Sequence, residues 1–101
     1  MGWASSYIKK LKSNETVQFR PRGHSMSGKI DSGALVTVVP IASDETLGVG
    51  EIVLCRVSGA EYLHLIKALD GDRAQIGNNR GGINGWTHRS KIFGRVTQIQ
   101  A

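Results

Sequence analysis

The chain has 101 residues, with 13 lysines and arginines against 8 aspartates and glutamates and a formal net charge of +5. This length suits one domain with one core, and 40% hydrophobic with 21% charged residues is a globular balance rather than a disordered one. A single cysteine, Cys55, excludes an internal disulfide framework and a four-cysteine zinc site, and no stretch is apolar for long enough to span a bilayer as a helix.

Trp3, Tyr7, Ile8 and Leu11 recur at helical spacing, with Ser5, Lys9, Lys10 and Lys12 opposite them. The spacing predicts a short amphipathic helix within residues 1–13. Such a helix caps the end of a sheet, and its lysines also suit weak contact with an anionic membrane surface. The same residues lack the apolar core of a signal peptide, so the expected location is the cytoplasm. Val17 and Phe19 then alternate with Thr16, Gln18 and Arg20, a strand pattern stopped by Pro21-Arg22-Gly23. A polar, glycine-bearing segment covers residues 23–33. Leu35-Val36-Thr37-Val38-Val39 is a β-branched run ending at Pro40 and predicts a strand. After a loop over 42–50, residues 51–57 form the next strand, Ser58-Gly59-Ala60 signals a tight turn, and residues 61–69 return as the hairpin partner. Asp70-Gly71-Asp72 turns again into a short strand over 73–76. Residues 77–85, with four glycines and three asparagines, read as loop, and 91–99 as the last strand. The expectation is a mainly β single domain over residues 1–101. After the short N-terminal amphipathic helix, residues 16–99 form a small folded sheet or partly open barrel of short antiparallel strands.

Cys55 lies in the apolar run Ile52-Val53-Leu54-Cys55 and reads as a small core residue rather than a reactive thiol. The basic residues are scattered apart from Lys9, Lys10 and Lys12, which marks a solvated surface. Binding of nucleic acid by Arg80, Arg89, Lys91 and Arg95 is the weakest of the functional readings, and no nucleic acid is expected as an obligate partner. His24, His64 and His88 have no carboxylate or cysteine partners at ligand spacing, so no metal and no cofactor is expected. Ser25, in Gly23-His24-Ser25-Met26, occupies a glycine-flanked bend where a hydroxyl is exposed and backbone N–H groups can converge on an oxyanion. Taken alone, a serine there is most often a turn residue.

Several blocks resemble, in order, those of the type I signal peptidases and the LexA-type self-cleaving repressors. Gly23-His24-Ser25-Met26 is similar to the Gly-Xaa-Ser-Met nucleophile box, and Asp31-Ser32-Gly33-Ala34-Leu35-Val36 to the Asp-Gly-Asp-Leu-Val that follows it. Val49-Gly50-Glu51-Ile52-Val53 resembles Val-Gly-Asp-Ile-Val. Tyr62-Leu63-His64 with Leu69-Asp70-Gly71-Asp72 resembles the general-base box, Gly77-Asn78-Asn79-Arg80 the Gly-Asp-Asn-Arg box, and Phe93-Gly94-Arg95-Val96 the closing Gly-Arg strand. The likeness runs from about Val17 to Val96. It implies a serine endopeptidase with Ser25 as nucleophile, its own backbone N–H serving the oxyanion, and His24 and Met26 in the substrate groove. Counting back from Gly71, the base position falls on His64. Histidine there is similar to the endoplasmic-reticulum type of signal peptidase, and imidazole is poised near neutral pH without prior desolvation. Lys67 is the alternative base, although strand parity turns it away from the face of His64 unless a bulge intervenes. The implied substrate is an extended segment of a partner or precursor protein, with small side chains next to the scissile bond.

The chain departs from the pattern at Asn78, where the group has aspartate, and near Gly85, where it has a second one. No carboxylate follows Asp72. Asn78 or Asn84 is left to orient the base histidine. Gly28 and Lys29 replace the usual proline and threonine, and the group's membrane anchor is not found. A peptide-binding module with a degenerate site on the same fold is the alternative to an active peptidase.

Overall fold

In the computed structural model, which describes residues 2–101, the amphipathic segment forms α1 (Ser5–Lys12). Its inward face buries Ile8 and Leu11, worth about 1.5–3 kcal/mol each. Lys9, Lys10 and Lys12 sit in the last turn, where cations complement the helix dipole. Asn14, at φ 63°, takes the left-handed C-terminal position, and Glu15 N–H reaches back to Lys10 O at 2.9 Å.

Seven strands follow: β1 (Val17–Phe19), β2 (Leu35–Pro40), β3 (Ile52–Val57), β4 (Ala60–Asp70), β5 (Arg73–Gly77), β6 (Ile83–His88) and β7 (Ile92–Gln100). They form one open antiparallel sheet in the order β1-β2-β7-β3-β4-β5-β6. The mainly β architecture expected from the strand spacing is the one observed. The β3–β4 hairpin turns through Ser58 and Gly59, both at positive φ (49° and 84°), the backbone of a two-residue turn whose twist matches its strands. One strand departs from expectation. Residues 83–88, within and after the glycine- and asparagine-rich segment, pair with β5 as an edge strand. Their sequence hides this, because Gly85 interrupts the pattern and large side chains, Ile83 and Trp86, stay exposed.

The sheet carries apolar packing on both faces, as the unbroken run Ile52–Cys55 requires. One cluster joins Ile8 and Leu11 of α1 to Val36, Val38, Leu54, Leu63 and Phe93. The other gathers Val53, Cys55, Val57, Ile66, Ala74 and Ile76. Gly94 permits α1 and β2 to approach β7, since a Cβ there would lie 2.7 Å from Val38 Cγ1 and 3.0 Å from Leu11 Cδ1. The sheet also curls. Thr87 of β6 donates from Oγ1 to Arg56 O on β3 at 2.7 Å. The loop before β3 is held by Arg95 of β7, which pairs with Glu45 and Glu51 and donates to Thr46 O.

Candidate active site

Ser25 lies in the bend between β1 and β2. That bend is wound by hydrogen bonds from Ser27 N–H to His24 O and from Ile30 N–H to Met26 O, at 3.1 and 2.7 Å. Met26 and Ile30 anchor it in the first core cluster. Asn79, in the β5–β6 connection, clamps it from outside: its backbone N–H donates to Ser25 O at 2.9 Å and its Nδ2 to Ser27 O at 2.8 Å. Among the described residues nothing accepts from the Ser25 backbone N–H.

The Ser25 hydroxyl is 3.0 Å from His64 Nε2. His64 stands on β4 opposite Val53 and is only 7% exposed. The other ring nitrogen, Nδ1, is 2.7 Å from Asn84 Oδ1. An amide oxygen only accepts, so Nδ1 carries the proton and Nε2 is left as the acceptor for the serine O–H. Burial lowers the His64 pKa from its ordinary value, and the Asn84 hydrogen bond opposes that shift. The ring is thus held neutral, the state a general base needs. Tyr62 stacks on it, with ring centroids 5.0 Å apart and planes 26° from parallel.

A bulge brings Asn84 to the ring. Ile76 pairs with Gly85 and Gly77 with Ile83, so Asn84 is the extra residue in β6, where a bulge re-aims a side chain. Gly77 makes room for the junction, because a Cβ there would meet Gly82 O at 2.5 Å. Of the two asparagines expected to orient the base, Asn84 touches it. Asn78 instead accepts from Arg80 N–H and Gly82 N–H and shapes the turn. Lys67 also sits at a bulge, between Ile66 and Ala68. Its aliphatic stem lies along Gly77, and it makes no hydrogen bond to Ser25.

A cleft of about 470 Å³ opens beside the dyad. Met26 and Leu63 help line it, whereas the exposed His24 does not. His88 is remote in role: it caps the short helical turn after β6 and accepts from Ser90 N–H. The cleft also exposes unpaired strand edge. Ile66 exchanges backbone hydrogen bonds with Gly50 and Glu51 on the β3 side. By alternation, Glu61 and Leu63 direct their N–H and C=O groups the other way. The β4–β5 ladder begins only at Leu65, so among the described residues nothing pairs with them there. Asn79 as a clamp and Glu61–Leu63 as an open edge were not singled out from the sequence. The Gly77–Arg80 block held the only hint of the clamp.

The remaining chemistry-bearing groups are structural. Burial pushes the Cys55 thiol up to about 12, which leaves it un-ionised and inert. Arg95 and Arg89, two of the four basic residues near the C-terminus, are spent on internal contacts with Glu45, Glu51 and Ala42 O. Among the described residues no helix is long and apolar enough to cross a membrane.

Compared with known proteins, the chain matches no family model and no curated protein sequence.

Proposed function

We propose that this protein is a serine endopeptidase of the signal peptidase and LexA-like kind, with Ser25 as nucleophile, His64 as base and Asn84 as the group that orients the base. The observation that carries this is the relay Ser25–His64–Asn84, with steps of 3.0 and 2.7 Å and the proton on the outer ring nitrogen. An amide in the third position fixes the tautomer, as in Cys-His-Asn peptidases, but stabilises the imidazolium less than a carboxylate would.

An extended substrate segment pairs with Glu61 and Leu63 along the open edge of β4, gaining main-chain hydrogen bonds. Ser25 Oγ attacks the scissile carbonyl while its proton passes to His64 Nε2. The free N–H of Ser25 stabilises the oxyanion. The imidazolium then protonates the departing amine as the C–N bond breaks, leaving an ester on Ser25. Water attacks that ester while giving a proton to Nε2, and the imidazolium returns a proton to Ser25 Oγ as the ester C–O bond breaks and the new carboxyl end departs. Small side chains next to the scissile bond are the expected preference.

The test is a fluorophosphonate, which loses fluoride when the serine oxygen attacks its phosphorus. Wild type is expected to label, Ser25→Ala not at all, and His64→Ala about a hundredfold more slowly or worse. Lys67→Ala is expected to label at the wild-type rate. Labelling that persists in Ser25→Ala would remove Ser25 from the role. An unreactive wild type would leave a module that grips peptides without cutting them.

A further inference from the structure

The cleft beside Ser25 holds more than the chemistry uses. Trp3, Tyr7 and Phe19 also line it. Tyr7 stacks on Phe19 at 4.3 Å and Trp3 tilts against Phe19 at 5.9 Å, so the three rings form one aromatic wall. Trp3 precedes α1 and remains 52% exposed, although the helix is already anchored by Ile8 and Leu11. A large apolar ring left half in water at the edge of a cleft is surface that an apolar partner atom would cover favourably.

Charge points the same way. Arg20 and Arg22 line this cleft, and among the described residues neither has a carboxylate partner; Arg20 donates only to Gly33 O. The acid in the cleft, Glu61, is engaged by Arg56 at 2.9 Å. The cleft therefore presents an aromatic wall and two uncompensated cations.

We propose that this part of the cleft is a substrate subsite for an aromatic or large aliphatic side chain followed or preceded by an aspartate or glutamate in the same extended segment. That this segment is a substrate rests on the peptidase reading; that the subsite selects it does not. The N-terminal helix is thus a specificity element, and the peptides favoured combine small residues at the cut with an apolar–acidic pair elsewhere.

Immobilised Ser25→Ala protein is offered a pool of peptides made by digesting a cell extract with a lysine-specific protease, and retained peptides are quantified by mass spectrometry. Retained peptides are expected to be enriched in an aromatic or leucine residue near an acidic one. Adding Trp3→Ala should cut capture of those peptides about tenfold, the usual scale for losing an aromatic anchor. Adding Arg22→Glu should abolish the acidic preference. Both positions are exposed, and unchanged thermal melts confirm intact folding. Retention with the same composition in both variants would overturn the subsite. The same pool treated with wild type separates the two claims. No cleavage with the capture pattern intact sinks the peptidase and leaves the subsite standing. Cleavage without apolar or acidic enrichment, insensitive to Trp3→Ala, does the reverse.

Discussion

Replacing Asn84 by aspartate puts a negative charge where an amide oxygen now lies 2.7 Å from His64 Nδ1. The wild-type ring sits below its ordinary pKa of 6.5 because burial disfavours the cation and only a neutral acceptor opposes it. A carboxylate at that distance favours the imidazolium, and an opposite charge this close raises a pKa by about 1–3 units. The acid limb of reactivity should therefore lie at clearly higher pH in Asn84→Asp than in wild type. The assay is the second-order rate of fluorophosphonate labelling at closely spaced pH values from mildly acidic to mildly basic, on Asn84→Asp and wild type in parallel. On the plateau above both acid limbs, where each ring is neutral, the variant should label at least as fast, since the carboxylate stabilises the charge that develops on His64. An acid limb in Asn84→Asp that coincides with, or lies below, that of wild type would refute the idea that this residue faces the base.

Three further outcomes follow from the geometry. His64 has a depressed pKa when folded, so its contribution to stability is fully present above 6.5 and is lost as pH falls through the folded value; thermal melts between pH 7 and 5 should show a decline that His64→Gln flattens. Tyr62→Leu should slow labelling about two- to tenfold by removing the stack on the imidazole, whereas Tyr62→Phe should retain the rate. Arg95→Met should cost about 2–3 kcal/mol in urea unfolding, because two ion pairs and a carbonyl contact are lost together, and protease nicking within residues 41–51 should increase.

Six of the seven strands were legible because their residues obey local rules. Leu35–Val39 is β-branched, Ile52–Val57 is a buried apolar run, and the Ser58-Gly59 turn closes a hairpin. β6 was not legible, since an edge strand that buries little besides Thr87 has no strong alternation to show. The proximity of Ser25 and His64 was readable from block spacing, but the choice between Asn78 and Asn84 as neighbour of the ring was not. A bulge at Asn84 decides it, and bulges depend on how two distant strands register. Lys67 teaches the same lesson: period-two parity set it apart from His64, yet it occupies a bulge, and its stem lies along Gly77 for reasons no local window contains.

The placement of β7 has its own consequence. Strand β2, next to the Ser25 bend, and strand β3, next to the His64 strand, never pair with each other; β7 lies between them and pairs with both. Ser25 and His64 thus belong to two parts of the sheet that β7 joins. The register of β7 against both neighbours, together with the Asn79 clamp, therefore sets how closely the Ser25 hydroxyl and the His64 ring can meet.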